Sequence, residues 1–584
     1  MRRFTLSALF LALFAVAVNA QEEEESTFNS IWLTDIEATE TVSDLQRGAP
    51  MTIDAKNNPI VTGSYNKTIQ IGNLAELDNV ATSAFIAKYS NAAAEENPTA
   101  LWQVALKGAA TIKAITTDED CNVYVAGVFA DAVSVFDATG EAVATINGIA
   151  EATSQSTAFI ISFTADGKYI ASKTIIPQTD ATVTSDADMM YFSDPNFVPS
   201  KLIASNGKLY MSASYKGNAT IDNVELKGKY TLAWDFMYDD LASMAVLALD
   251  TKNLDGAELV SSLGSADQIV YDGTDAATDV NFAIKDGKVY IAYVGTGSKL
   301  KLAAGSTSND VELQTTTDGE NTSYEHPFIL ACVDGKNATN KVYHSVVNSN
   351  SADWNTIDEM QFNDGKLYLA GTFNEANPFD NTVSYVSACD TYLACINPET
   401  LDKNWLATSN YDEADANHKA EIVSCLVFID NEATVAGGIQ NTTNRSIESA
   451  KQLTVSLDAP TSCEYDGDED DDYCTAAVFN GDYILIQTDN ADDTDTTNGG
   501  EYEFLFAKKN NSSTGIHMIK TGNGLSISRQ GDVINVSEAA DLSLYSAAGS
   551  LVKSAKAATS ISLAGLGKGV YMLKAGQKTV KVNK

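Results

Sequence analysis

Two short sequence phrases alternate seven times along this chain, and their alternation constrains the possible fold more than any other feature. The first phrase joins a polar turn to β-prone residues and ends near a small residue, as in "NNPIVTGSY", "DCNVYVAGVF" and "DGKLYLAGTF". The copies are separated by 64, 86, 80, 78, 66 and 51 residues. Their aligned positions are Gly63, Gly127, Ala213, Tyr293, Gly371, Gly437 and Thr488.

The second phrase follows each copy of the first and also reads as a strand, as in "AFIAKYS", "AFIISFT" and "YLACINP". Two independent phrases in strict alternation indicate a repeated supersecondary unit. The equivalent positions of the second phrase are Lys88, Ser162, Ala248, Cys332, Cys395, Ser456 and Lys508.

This pattern predicts an all-β fold in which seven four-stranded sheets form the blades of a propeller. One such sheet cannot bury both faces alone, whereas sheets stacked around an axis cover one another. We find no stretch with a 3.6-residue apolar period long enough to predict a helix. Residues 51–510 give about 66 residues for each repeat, more than the roughly 40–50 of compact blades, so long loops are expected.

The ends of the repeat region predict how the ring closes. The first and fifth repeats continue into a strand that contains Trp102 or Trp405, but the seventh does not. The segment "FNSIWLTDIE", with Trp32, precedes the first repeat. We therefore expect residues 31–36 to supply the last strand of the seventh blade and to leave no open edge.

A family resemblance supports this interpretation. Residues 84–129, with "AFIAKYS", "ALWQVALKG" and "DCNVYVAGVF", resemble the bacterial seven-bladed β-propeller repeat called SBBP. The resemblance is weaker elsewhere and weakest after residue 425. It implies a propeller in an exported bacterial protein, and it implies no particular activity, because such propellers share none.

The N-terminus is typical of a secretory signal peptide. Arg2 and Arg3 precede the apolar run Leu6–Val18, and small residues precede a cut after Ala20. Removal of this segment leaves 36 basic and 78 acidic residues, a net charge of −42. Such a charge disfavours nucleic acid and anionic membrane surfaces as partners. No later apolar run approaches the roughly 20 residues of a membrane helix.

Seven cysteines follow the signal, and export would permit disulfides. Cys463 and Cys474 flank the acidic loop "EYDGDEDDDY", and a disulfide between them would close that loop. Cys389 and Cys395 are a second local pair. Because the count is odd, at least one cysteine has no intramolecular partner.

The sequence contains no catalytic or cofactor-binding motif that we could identify. The four histidines, His326, His344, His418 and His517, lack the spacing of metal ligands. The best candidate for a metal is the acidic loop, whose carboxylates at Asp466, Asp468, Asp470 and Asp472 suit Ca²⁺. A solvated acidic loop is the alternative, and "DNADDTDTT" is a weaker second candidate.

Residues 522–584 read as a separate module of short alternating strands, which predicts a small antiparallel, immunoglobulin-like sandwich. The strands "LYSAAGSLV", "LGKGVYML" and "KTVKVNK" resemble the C-terminal sorting domain of the type IX secretion system of Bacteroidetes. That resemblance implies passage across the outer membrane and the secretion machinery as a partner. The usual "NP" opening is replaced by "TGNGLSIS", so a retained domain without a sorting role is the alternative.

These observations give four segments and two functional hypotheses. The segments are a signal peptide (1–20), a propeller (21–510), a linker (511–521) and the C-terminal module (522–584). The first hypothesis is a non-catalytic secreted or cell-surface propeller that binds protein or glycan through its loops. The second is a secreted hydrolase or lyase acting on polysaccharide, with carboxylates at the propeller channel. Inward Asp and Glu beside a basic residue would favour the enzyme.

Overall fold

The computed structural model consists of β-strands and their connections. It describes residues 28–38, 48–78, 82–91, 99–180, 183, 190–318 (except 193, 235 and 272), 321–347, 355–409 (except 375 and 385–387), 419–466 (except 444–446, 458–459 and 461), 472–490, 502–509 and 527–583 (except 531–532, 547–550, 567–569 and 576–577). No helix occurs within these ranges. The predicted all-β class is confirmed.

Strands of the first two repeats follow an N-terminal strand, β1 (Phe28–Ala38). The first repeat contains β2 (Met51–Ile53), β3 (Pro59–Tyr65), β4 (Ile69–Ile71), β5 (Ser83–Tyr89) and β6 (Ala100–Lys107). The second contains β7 (Ala110–Thr117), β8 (Val123–Phe129), β9 (Ala132–Phe136), β10 (Ala142–Asn147), β11 (Thr157–Phe163) and β12 (Tyr169–Ile175).

The third and fourth repeats carry the most additional strands. The third contains β13 (Met190–Phe192), β14 (Asn196–Ser205), β15 (Lys208–Lys216), β16 (Ala219–Ile221), β17 (Val224–Leu226), β18 (Lys229–Ala233), β19 (Met237–Leu241), β20 (Ser243–Asp250), β21 (Glu258–Ser265) and β22 (Ile269–Tyr271). The fourth contains β23 (Ala276–Lys285), β24 (Lys288–Thr296), β25 (Lys299–Ala304), β26 (Thr307–Glu312), β27 (Thr315–Asp318), β28 (Asn321–Tyr324), β29 (Phe328–Asp334) and β30 (Asn337–Tyr343).

The last three repeats are simpler. The fifth contains β31 (Glu359–Asn363), β32 (Lys366–Phe373), β33 (Asp390–Ile396) and β34 (Lys403–Thr408). The sixth contains β35 (Lys419–Ile429), β36 (Glu432–Asn441), β37 (Ile447–Ser456) and β38 (Ser462–Asp466). The seventh contains β39 (Asp472–Phe479), β40 (Tyr483–Asn490) and β41 (Tyr502–Lys509).

Each repeat contributes to one sheet that contains four consecutive strands, and we number these four-stranded groups as sheets 1 to 7. Additional strands extend sheets 1, 3 and 7. Their strand orders are β2-β3-β5-β6, β7-β8-β11-β12, β14-β15-β20-β21, β23-β24-β29-β30, β31-β32-β33-β34, β35-β36-β37-β38 and β39-β40-β41-β1. The first sequence phrase forms the second strand of every sheet, and the second phrase forms the third strand. The phrases therefore recur because the same two buried strands recur.

The first strands of the seven sheets form a closed ring. β2 contacts β7, and contacts continue through β14, β23, β31 and β35 to β39, which contacts β2 again. Apolar clusters fill the spaces between sheets: Val61 and Phe85 of sheet 1, for example, pack with Leu485 and Phe506 of sheet 7. Sheets packed face to face around an axis define a β-propeller, so the predicted propeller fold is confirmed.

Strand β1 lies beside β41 and is therefore the fourth strand of sheet 7. Its end also pairs with β4, where Ile36 lies opposite Ile71. The N-terminal and C-terminal ends of the repeat region thus share one sheet.

The chain divides into two compact units, and residues 509–584 make up most of the second. Its strands are β42 (Ile527–Gln530), β43 (Val533–Ser546), β44 (Leu551–Ser562), β45 (Val570–Ala575) and β46 (Lys578–Asn583). They form one sheet with the order β42-β43-β45-β46, in which β44 also pairs with β43. Ile534, Leu542, Leu544 and Leu573 are among its buried residues. The immunoglobulin-like sandwich stays a prediction.

The structure contradicts the disulfide pairing of Cys389 with Cys395 that sequence proximity suggested. Both cysteines are without a disulfide bond. Cys389 lies just before β33 and Cys395 lies within it, so the two are about 20 Å apart along an extended chain. That separation far exceeds the span of a disulfide. Cys463 is on β38 of sheet 6 and Cys474 on β39 of sheet 7, and their pairing stays a prediction.

Candidate functional site

A small sheet inserted in the third repeat carries a group of exposed aromatic side chains. Its strand order is β13-β19-β18-β22, and none of these strands belongs to sheet 3. Trp234 follows β18, Phe236 precedes β19, and Tyr271 ends β22. We call the side chains of Met190, Trp234, Phe236 and Tyr271 the aromatic platform.

The platform is strongly exposed. Trp234 and Tyr271 are each 70% accessible, Met190 is 49% and Phe236 is 43% accessible. Within the described part of the chain, every aromatic residue among the exposed large apolar side chains belongs to this sheet. The Trp234 and Phe236 rings lie 6.3 Å apart with an angle of 33° between their planes. A group of exposed rings in one place marks an interaction surface more often than scattered apolar residues do.

Buried polar contacts hold the sheet in place. The backbone N–H of Tyr230 donates to the carbonyl of Gln268 at 2.9 Å. The Gln268 amide donates to Asp180 Oδ2 at 3.0 Å, and the Asp180 N–H donates to the Tyr230 hydroxyl oxygen at 3.3 Å. Burial, followed by the charge of nearby groups, raises the pKa of Tyr230, so its hydroxyl stays neutral. The exposed rings therefore stand on an ordered base.

The exposed rings of the platform are suited to binding a ligand. Tryptophan, phenylalanine and tyrosine offer large apolar faces with few rotatable bonds, so little conformational entropy is lost when a ligand covers them. Such a surface can stack against the apolar face of a sugar ring or against side chains of another protein.

A second group of polar residues lies on the ring of first strands. Lys201 of β14 donates from Nζ to Asn281 Oδ1 at 2.9 Å and to the carbonyl of Met360 at 3.0 Å. It thereby joins sheet 3 to sheets 4 and 5. Asn281 Nδ2 donates to the carbonyls of Ile357 and Asp358 at 3.0 and 2.7 Å. These contacts mainly hold neighbouring sheets together.

Three carboxyl groups accompany Lys201. Asp279 accepts hydrogen bonds from the N–H groups of Ile357 and Val280, both at 2.7 Å, and desolvation raises its pKa to about 6. Asp358 accepts from the Thr356 hydroxyl at 2.5 Å. Desolvation by the surrounding protein, with the charge of Asp279 adding to it, raises the pKa of Asp358 to about 8.

Glu359 and Lys201 act on each other by charge. Desolvation raises the pKa of Glu359, while the positive charge of Lys201 opposes this change. Desolvation lowers the pKa of Lys201, and Glu359 opposes that shift. Water reaches all four side chains, and Asp358 most of all, but the protein atoms packed around Asp358 displace much of the solvent that would hydrate its charge. We call Lys201, Asp279, Asp358 and Glu359 the ring cluster. A protonated carboxyl beside ionised groups is an arrangement that general acid catalysis can use.

The residues singled out from the sequence are spread over the fold. Asp466 ends β38 and Asp472 begins β39, while Asp468 and Asp470 lie outside the described residues. Throughout the described ranges, no group of three or more His, Cys, Asp or Glu side chains is arranged to hold a metal ion. His344 Nδ1 lies 2.8 Å from Glu325 Oε1, and the backbone N–H of His326 donates to Ser345 Oγ at 3.0 Å. His418 and His517 are outside the described residues.

Sequence reasoning did not select the platform or the ring cluster. The segment "KYTLAWDFMYDD" holds four aromatic residues between the two phrases of the third repeat, and this density was the available signal. The ring cluster gives no such signal, because Lys201, Asp279 and Asp358 come from three repeats.

No protein-family model matches the chain, and no curated protein sequence matches it. The structure is similar to that of polysaccharide lyase Uly1, with 9% identity, a TM-score of 0.38, and coverage of 84% of this chain and 94% of the lyase.

Two further structures were also similar. The β-propeller domain of the Trilobed protease from Pyrococcus furiosus is 9% identical, with a TM-score of 0.26 and coverage of 66% and 96%. The WD40 domain of SCAP from fission yeast is 9% identical, with a TM-score of 0.31 and coverage of 96% and 98%. Among the described residues, no helix is long and apolar enough to cross a membrane.

Proposed function

We propose that this protein is a non-catalytic, seven-bladed propeller that binds a protein or glycan through its aromatic platform. The observation that carries the proposal is the concentration of exposed Trp234, Phe236 and Tyr271 on one inserted sheet. Surfaces rich in Trp and Tyr are typical of binding sites. The net charge of −42 after signal removal favours neutral or basic ligands over acidic ones.

A binding screen with matched variants tests this proposal. The purified mature chain is applied to glycan and protein arrays, and the affinity for each ligand found is measured by titration. Trp234→Ala and Tyr271→Ala remove platform rings, and each is expected to weaken binding at least about tenfold, the effect of a modest hot spot. Leu101→Ala serves as the control, because Leu101 is an exposed apolar residue of sheet 1.

The outcomes separate the platform from other surfaces. Equal affinities for the wild type and both platform variants would place the ligand elsewhere on the propeller. An array without any binding would count against a binding function. A loss of affinity in Leu101→Ala as large as in Trp234→Ala would mean that binding is not specific to the platform.

The delivery route is part of the proposal. The N-terminal signal and the SBBP resemblance support export, and the strand motifs of residues 522–584 support type IX sorting to the cell surface or medium. Deletion of residues 522–584 is expected to trap the protein in the periplasm, and cell fractionation measures this. Unchanged amounts on the surface and in the medium would contradict the sorting role.

A second candidate is a polysaccharide hydrolase or lyase, and the ring cluster is the observation that favours it. Asp358 would be the general acid, since its raised pKa keeps it protonated near neutral pH. Turnover assays on each glycan found in the screen distinguish the two functions. The enzymatic proposal would replace the binding proposal if the wild type turns over a glycan, Asp358→Asn abolishes this turnover, and Trp234→Ala leaves it measurable.

A further inference from the structure

Two cysteines from neighbouring sheets meet in the interior of the propeller. Cys425 lies on β35 of sheet 6, and Cys474 lies on β39 of sheet 7. Their Sγ atoms are 3.5 Å apart, and both side chains are buried. They are 49 residues apart in the sequence, so their proximity follows from the packing of the two sheets.

The strands are irregular at both cysteines. The pairing of β35 with β36 shifts register between Val423 and Cys425, and the pairing of β39 with β40 shifts between Cys474 and Ala476. Such bulges bend a strand and change the direction in which a side chain points. The two bulges occur at the point where the first strands of sheets 6 and 7 are in contact.

We propose that Cys425 and Cys474 form a disulfide that fixes sheet 7 to sheet 6. Sulfur atoms of a disulfide are about 2.05 Å apart, so the two side chains need to approach by only about 1.5 Å. Small rotations about the Cα–Cβ bonds are sufficient, and the strands already bring the cysteines together. The pairing uses Cys474 and therefore excludes a Cys463–Cys474 bond.

The bond forms by exchange with an oxidant of the disulfide class, either a small-molecule disulfide or a disulfide oxidase. The Cys425 thiolate attacks that disulfide, which forms a mixed disulfide and releases one thiolate. The Cys474 thiolate then attacks the Cys425 sulfur, which forms the protein disulfide and releases the second thiolate. The two protons lost by the cysteines are taken up by the two leaving groups, and the oxidant is reduced by two electrons.

Burial determines when this exchange can occur. A mixed disulfide at Cys425 has no room in the packed interior, and the hydrogen bond to Cys474 together with burial raises the pKa of the Cys425 thiol. Exchange is therefore slow in the folded protein and fast during folding, before sheets 6 and 7 have packed. Once made, the bond is protected from reductants.

The test uses the full mature chain and does not depend on the proposed binding function. The protein is refolded from denaturant with a mixture of reduced and oxidised glutathione, digested without reduction, and mapped by mass spectrometry. We expect a cross-linked peptide pair that contains Cys425 and Cys474, lighter by two hydrogens. We also expect a higher urea midpoint than that of the fully reduced protein.

Variants make the result specific. Cys425→Ala and Cys474→Ala should each abolish the cross-link and the difference between oxidised and reduced midpoints. Cys395→Ala is the control, because Cys395 is equally buried on β33 of sheet 5 and should leave both intact. If either test variant fails to fold, the peptide map of the wild type still decides. Reduced thiols at both positions, or a Cys463–Cys474 peptide instead, would overturn the proposal.

Discussion

Lys88 gives a physical reason for the most recognisable part of the repeat, the lysine of "AFIAK". Its ammonium group is buried and lies 2.7 Å from Asp54 Oδ2, in the turn before β3. It also donates to the carbonyl of Ala165 in the second repeat at 3.1 Å. The Trp102 indole donates to the same carbonyl at 3.0 Å. Lysine and tryptophan together therefore fasten sheet 1 to sheet 2.

Replacement of Lys88 by methionine should destabilise the propeller by about 3–5 kcal/mol, because Asp54 is left as a buried, unpaired charge. Urea unfolding measures this loss. Lys107→Met is the matched control, since its ion pair with exposed Asp78 is at the surface and contributes at most about 1 kcal/mol. The double variant Lys88→Met/Asp54→Asn should recover much of the loss. Equal stability of the Lys88 and Lys107 variants would contradict this account.

The ring cluster should make stability depend on pH in a definite direction. The pKa of Asp358 is about 8 in the folded protein, against about 3.9 in an unfolded chain. Between these values the folded state binds more protons, so stability is highest at the acidic end of this window and falls as the pH rises. Asp279, with a pKa of about 6, acts in the same direction over the lower part of this range.

Asp358→Asn should therefore gain stability relative to the wild type as the pH rises from 5 to 8. Urea midpoints at three pH values within that range provide the measurement. Asp286→Asn is the control: Asp286 is exposed in a turn with φ near 53°, a conformation that asparagine also adopts. A difference between Asp358→Asn and the wild type that does not change with pH would contradict the raised pKa.

At the scale of elements, the glycine of the first phrase is explained by a close backbone approach. A Cβ atom on Gly127 would lie 2.1 Å from the Thr111 carbonyl oxygen. A Cβ atom on Gly371 would lie 2.2 Å from the Thr356 carbonyl oxygen, and one on Gly437 would lie 1.9 Å from the Ile422 carbonyl oxygen. In sheets 2 and 6 the neighbouring first strand is bulged beside this glycine. These three positions need glycine because a carbonyl oxygen of the preceding segment lies too close to leave room for a Cβ atom.

Overpacking should lower the free energy of unfolding by about 1–3 kcal/mol in each of three variants, Gly127→Ala, Gly371→Ala and Gly437→Ala. Urea unfolding of the three variants tests this expectation. Ala213→Gly is the matched control, because sheet 3 accepts a side chain at the equivalent position. This substitution should lower the free energy of unfolding by only about 1 kcal/mol. Alanine variants as stable as the wild type would show that the backbone moves aside at little cost.

For the whole molecule, the important feature is the sharing of sheet 7 between the two ends of the repeat region. Strand β1 covers the edge of β41 and also pairs with β4 of the first repeat. Without β1, the N–H and C=O groups along β41 would be unpaired, and such an edge is open to association with another chain. Closure therefore affects both stability and solubility.

A variant that begins at residue 40 should have a melting temperature at least about 5 °C below that of the wild type. In a domain of 150–250 residues, a loss of about 1 kcal/mol in the free energy of unfolding already lowers the melting temperature by about 2–4 °C. It should also form oligomers, which size-exclusion chromatography detects. A variant that begins at residue 27 keeps β1 and is the control. Identical melting and elution of both variants would mean that β1 does not close the ring.

Several features of the fold were predictable because they depend on local order along the chain. The alternating phrases of residues 59–65 and 83–89 predict neighbouring buried strands, and the structure places them as β3 and β5. The cysteine pairs could not be predicted in this way. Cys389 and Cys395 are close in sequence but far apart on an extended strand, whereas Cys425 meets Cys474 across two sheets.

The sequence by itself determined the all-β class and the repeated order of strands, because period, turn residues and β-propensity act over a few residues. Only the tertiary structure decided which side chains meet. Lys201, Asp279 and Asp358 converge through ring closure, and the pairing of β18 with β22 places Tyr271 opposite Leu232, two residues before Trp234. The physical reason is that contacts between distant segments depend on how sheets pack and twist, and residue spacing does not encode this.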